Sequence, residues 1–121
     1  MLERDDLEHP IPSQLHGLFV QIVDAFLRQD FELRAHPIID VEPIDVSTAK
    51  SIADNIASYG DSLARLNPAT WERSIYRWMD GYWQFIVDLS TSGEPVSDLA
   101  LHARLDCVPG SNLEVQSVYV P

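Results

Sequence analysis

The chain has 121 residues, 45% hydrophobic and 22% charged, a size and balance that suit one self-sufficient core and exclude a largely disordered chain. Nineteen acidic residues stand against eight basic ones, for a formal net charge of −11, and Lys50 is the sole lysine. A field of that sign repels phosphate backbones and anionic headgroups, so the expected partner is neither nucleic acid nor membrane but a basic protein.

The single cysteine, Cys107, excludes an internal disulfide and any cysteine-cluster metal centre. The leading stretch MLERDDLEHPIPSQ is acidic and has no apolar run, so it does not read as a signal peptide. No apolar stretch approaches the length of a membrane span. A cytoplasmic protein is expected.

Residues 1–12, ending in Pro10 and Pro12, predict a flexible acidic arm before a single domain over residues 13–121. Leu15, Leu18, Phe19, Ile22, Val23, Phe26 and Leu27 then recur at three- and four-residue steps, predicting an amphipathic helix over 13–29. Gly17 weakens that helix and suggests a close helix approach. Pro37 and Pro43 break any helix in the following connector, which apolar residues such as Phe31, Leu33, Ile38 and Val41 would anchor to the core. Val46, Ala49, Ile52, Ala53 and Ile56 predict a second helix over 46–59, with Asp45 or Ser47 as its cap and Gly60 as its stop.

Beyond Pro68 the apolar period falls to two. Residues 71–79 and 82–90 flank Asp80-Gly81, a dipeptide suited to a tight hairpin turn. Alternation resumes over residues 97–107, and Pro109-Gly110 turns the chain into a last strand at 113–120. The fold class expected is α+β: two N-terminal helices packed on one face of a four-stranded antiparallel meander sheet.

Two groups of residues stand out as candidates for contact with a partner. Asp30, Glu32, Asp40, Glu42 and Asp45 concentrate negative charge on a proline-restricted connector opposed only by Arg34. A restricted loop loses less entropy on binding, and complementary charge speeds association. The ordinary alternative is that a charged loop is simply solvated. Tyr76 and Trp78, sharing a strand face, would be effective anchors if that face pointed outward. Their ordinary role would be core filling or cross-strand pairing.

No catalytic residue is assigned, and no enzyme activity is expected. His9, His16, His36 and His102 lack zinc-site spacing, so no metal is assigned. His102 and Cys107 fall on opposite sides of an alternating strand, which opposes a nucleophile pair. No phosphate-cradling glycine loop or nucleophile elbow occurs, and no cofactor is expected.

Ile52-Ala53 with Ile56 and Tyr59-Gly60, Leu63 and Leu66, Trp71 with Ser74, Trp78, Trp83, Val87-Asp88-Leu89, Ser97-Asp98-Leu99 and the terminal Val118-Tyr119-Val120-Pro121 resemble a widespread bacterial family of small acidic domains of unassigned function. The resemblance covers residues 15–121. Such domains look like the immunity proteins of polymorphic or contact-dependent toxin systems. This resemblance implies a protein that binds and neutralises a cognate toxin domain, a basic nuclease being the natural target. It transfers no active-site residue. The alternative expectation is a small-ligand binding or accessory module, with its pocket between helices and sheet.

Overall fold

The computed structural model describes residues 2–121. Helix α1 covers Ser13–Leu27 and buries Phe19, Ile22, Val23, Ala25 and Phe26. It stops two residues before the expected end because Gln29 turns left-handed at φ 66°. The Gln29 N–H then donates to the Phe26 carbonyl and the Asp30 N–H to that of Ala25, both at 2.9 Å. This pair satisfies carbonyls that the last helical turn would leave without donors. Gly17 faces open space, so the expected close approach at that position does not occur.

Helix α2 covers Val46–Ser58, with Asp45 accepting from the Thr48 N–H at its start. Gly60 at φ 92° ends it, as the sequence indicated.

The main sheet contains β1 (His9–Pro10), β3 (Ile75–Trp78), β4 (Tyr82–Asp88), β6 (Ala100–Asp106) and β7 (Glu114–Tyr119), in the order β1-β3-β4-β6-β7. Every neighbouring pair is antiparallel. Strands β3, β4, β6 and β7 make the expected meander. The sheet nevertheless has five strands rather than four, because the arm contributes β1. The helices therefore follow the first strand and are not N-terminal to the whole sheet. A further pair, β2 (Leu63–Ala64) with β5 (Ser90–Thr91), forms a small second sheet.

Trp71 lies outside the hairpin in which it was expected. Residues Pro68–Glu72 wind into a 3-10 helix, η1, because Asn67 caps the Ala69 N–H and Pro68 suits the first turn. Thr70 and Ser74 hydroxyls, 3.1 Å apart, tie η1 to β4 through the Asp88 backbone.

Both helices cover the same sheet face. Phe19 meets Phe85 with ring centroids 5.7 Å apart, and Asn55 on α2 donates to the Val118 carbonyl of β7 at 2.8 Å. One hydrophobic cluster joins α1, the connector, α2 and the inward sheet residues Phe85, Val87, Leu101, Ala103, Val115 and Val118.

Candidate partner-binding groove

The connector is held by backbone chemistry as much as by its apolar residues. Asp30 accepts from the N–H groups of Arg34, Ala35 and His36 at 3.1–3.2 Å, so its carboxylate closes a turn. Glu32 lies 3.4 Å from the Arg34 guanidinium. Asp40 is exposed at φ 68°, and its carbonyl accepts from the Leu113 N–H at 2.8 Å. The Glu42 N–H donates in turn to the Leu113 carbonyl at 2.9 Å, giving a single parallel bridge, Val41 to Leu113, just before β7. After Pro43 the connector leaves that strand, and the Ile44 N–H turns to the Glu32 carbonyl at 2.9 Å.

An open groove of about 650 Å³ lies where connector and β7 diverge. Four carboxylates line it: Glu42, Asp45, Asp106 and Glu114. No lysine or arginine is among its lining residues. Asn112 donates to Glu42 at 3.1 Å, and the Arg104 guanidinium reaches Asp106 at 2.6 Å from outside the groove. The Thr48 backbone N–H, 2.8 Å from Asp45, holds that carboxyl below its ordinary value and keeps it ionised.

The five connector carboxylates thus do not form one surface. Glu42 and Asp45 enter the groove. Asp30 and Glu32 instead line a separate depression beside Lys50, and Asp40 lines neither. Sequence reasoning missed Asp106 and Glu114 as their companions. The two flank the β6–β7 turn, and Glu114 pairs in register with Arg104. Counting out from that turn signals their proximity to each other. Only tertiary packing brings the connector to them.

Tyr76 and Trp78 correct the second expectation, because they face inward. The two-residue turn at Asp80-Gly81, with φ 56° and 122°, pairs Trp78 with Trp83 and Tyr76 with Phe85. Residues directly opposite in an antiparallel pair share a face. Tyr76 is 3% exposed, and its hydroxyl accepts from the Glu3 N–H at 2.8 Å. Trp78 is half-buried against Trp83 and beneath Arg4. Neither side chain is presented outward as a binding anchor.

A second open groove, about 670 Å³, crosses the C-terminal ends of both helices, with Phe26, Phe31, Ile56 and Leu63 among its lining. In its lining, Asp61 accepts from the Ser92 hydroxyl at 2.7 Å and the Gly93 N–H at 2.9 Å, bonds that help bring its pKa down to about 2. His102 lies on the solvent side of the sheet, stacked on Tyr119 at 4.6 Å, with its pKa lowered by burial. Among the described residues no group of three His, Cys, Asp or Glu side chains is arranged to hold a metal ion. Among the described residues no helix is long and apolar enough to cross a membrane.

One family profile, described as a domain of unknown function (DUF7668), matches residues 23–121. The chain belongs to the DUF7668 family. No curated protein and no solved structure matches it. The DUF7668 description names no toxin and no immunity role, so membership alone carries neither. The matched span holds every residue lining the acidic groove. It leaves out the arm and the first ten residues of α1, residues 13–22.

Proposed function

We propose that this DUF7668 protein is a non-catalytic binding protein that takes a basic segment of a partner protein into the β7 groove. The observation that carries this reading is the lining itself, four carboxylates without one basic side chain. Among the described residues only Asp106 of the four has an ion-pair partner, Arg104, and the remaining negative charge lowers the free energy of an approaching lysine or arginine side chain and speeds its capture. The docking residues in this reading are Glu42, Asp45, Asp106 and Glu114. Neutralisation of a cognate toxin domain, a nuclease for instance, is the biological role we propose for that capture. It draws on the acidic character of the chain and on its resemblance to immunity proteins.

A labelled arginine-rich peptide, titrated by fluorescence anisotropy, tests the groove. Glu42→Lys with Glu114→Lys is expected to weaken binding at least about tenfold, as reversal of contacting charges does. The control pair Asp6→Lys with Glu72→Lys changes net charge equally on exposed residues outside the groove and is expected to weaken binding far less. Equal losses from both pairs would show only a diffuse field and would refute the groove. The toxin role is tested separately by co-purification with the product of the adjacent reading frame and by survival of cells producing that product.

The alternative reading, a small-ligand module, draws on the apolar side chains of the helix-end groove. Thermal stabilisation by a small apolar ligand, abolished by Ile56→Asp, would favour it.

A further inference from the structure

The outer sheet face differs in charge from the molecule that carries it. Three of the eight basic residues, Arg73, Arg77 and Arg104, lie on or beside it with three of the nineteen acidic ones, Asp88, Asp106 and Glu114. Asp98 also acts on Asp88 from beside the face, so the face is close to neutral and nearly the whole excess of −11 resides elsewhere. Between the charges lie half-buried Ile75, Tyr82 and Ile86 and the exposed Tyr119. No helix covers this side, because both pack on the other.

The register places the charges in an order that suits pairing with itself. One row across the sheet reads Arg77, Gln84, Arg104, Glu114. Opposite charges thus stand at its two ends, on β3 and on β7. Both end residues are exposed, and neither has an ion-pair partner among the described residues. The next row reads Ile75, Ile86, His102, Ser117.

We infer that the outer sheet face is a self-association surface on which a second copy docks face to face, about a twofold axis parallel to the strands. That axis exchanges the ends of each row. Arg77 of one copy then lies over Glu114 of the other, twice by symmetry. Tyr82 lies over Asp106 of the second copy and Ile86 over His102. Aligned sheets pack about 10 Å apart with strands inclined by about 30°, a stagger that an arginine side chain spans. A basic partner gains little from a nearly neutral face, whereas a second copy finds the complement of each charged end. The four-strand footprint is small, so the dimer is a weak one. The surface shares Asp106 and Glu114 with the groove, whereas Arg77 does not line it, so Arg77→Glu disturbs the dimer without altering the groove lining.

Sedimentation equilibrium of the full chain, between about 1 µM and 1 mM, covers the affinity range of such an interface. The wild type is expected to dimerise within that range. Arg77→Glu and Glu114→Arg are each expected to weaken dimerisation at least about tenfold, because each sets like charges opposite one another. The two variants mixed in equal amounts are expected to associate, since each then supplies the charge that the other lacks, and the double variant is expected to dimerise as the wild type does. Unchanged far-UV circular dichroism separates loss of association from loss of fold. A wild type that stays monomeric throughout, singles that dimerise normally, or a mixture that stays monomeric would each overturn the inference.

Discussion

Residues 2–12 and residues 28–45 share a composition: both are irregular, interrupted by prolines and rich in carboxylates. They are attached to the domain in different ways. The connector sends Leu33, Ile38, Val41 and Ile44 into the core, all at most 9% exposed. The arm, expected to be loose, sends only Ile11 into the core and otherwise lies along the hairpin by edge contacts. Its β1 pairs with β3, the Trp83 indole N–H donates to the Glu3 carbonyl at 3.0 Å, and Arg4 sits 5.4–5.5 Å from the Trp78 and Trp83 ring centroids. Its charges mostly remain in water, except that Asp5 contacts His9 at 2.7 Å and accepts from the Leu7 N–H at 3.0 Å. The connector instead uses Asp30 and Asp45 to satisfy backbone N–H groups. Two segments of the same character to the eye thus differ in degree: in the arm Asp5 takes one backbone N–H, that of Leu7, whereas in the connector Asp30 alone takes three.

The largest expected effect lies in the connector. Leu33→Ala removes a side chain only 2% exposed and should cost about 2–5 kcal/mol of unfolding free energy, read by urea denaturation. A cost below about 1 kcal/mol would show that the connector is no better anchored than the arm. The arm counterpart is smaller. Arg4→Ala should cost about 0.5–1 kcal/mol, the usual worth of an exposed cation–π contact, and should shift tryptophan emission to the red as Trp78 and Trp83 gain water. An unchanged spectrum would mean that Arg4 does not hold the arm over the indoles.

The smallest effect is one of pH. The Asp45 carboxyl is held below its ordinary 3.8 by the Thr48 N–H. A depressed folded pKa stabilises the native state above 3.8 and loses that contribution as pH falls through the folded value. Asp45→Asn keeps an N-cap but does not titrate. Its thermal midpoint should therefore fall less steeply than the wild type's as pH drops below the ordinary carboxyl value of 3.8. Parallel curves would remove the cap from the acid response.

Much of this architecture was legible in the sequence where a period or a turn residue repeats a physical constraint. The apolar spacing of Phe19, Ile22, Val23 and Phe26 placed α1, and Asp80-Gly81 located the hairpin. The same turn also fixes Tyr76 opposite Phe85, so the inward direction of Tyr76 and Trp78 was available from counting outward and was missed. Strand β1 was not legible, since two residues ending in proline carry no alternation. Nor was the split of the acidic connector between two depressions, which depends on where Pro43 directs the chain.

By itself the sequence determined the helices, the meander and the acidic excess, because each follows from interactions within a few residues or from a simple count. Tertiary structure alone decided which carboxylates are neighbours, which face is nearly neutral and where the arm lies. Those facts depend on contacts between positions as distant as Glu42 and Asn112 or Glu3 and Tyr76, and electrostatic energy depends on separation in space rather than along the chain.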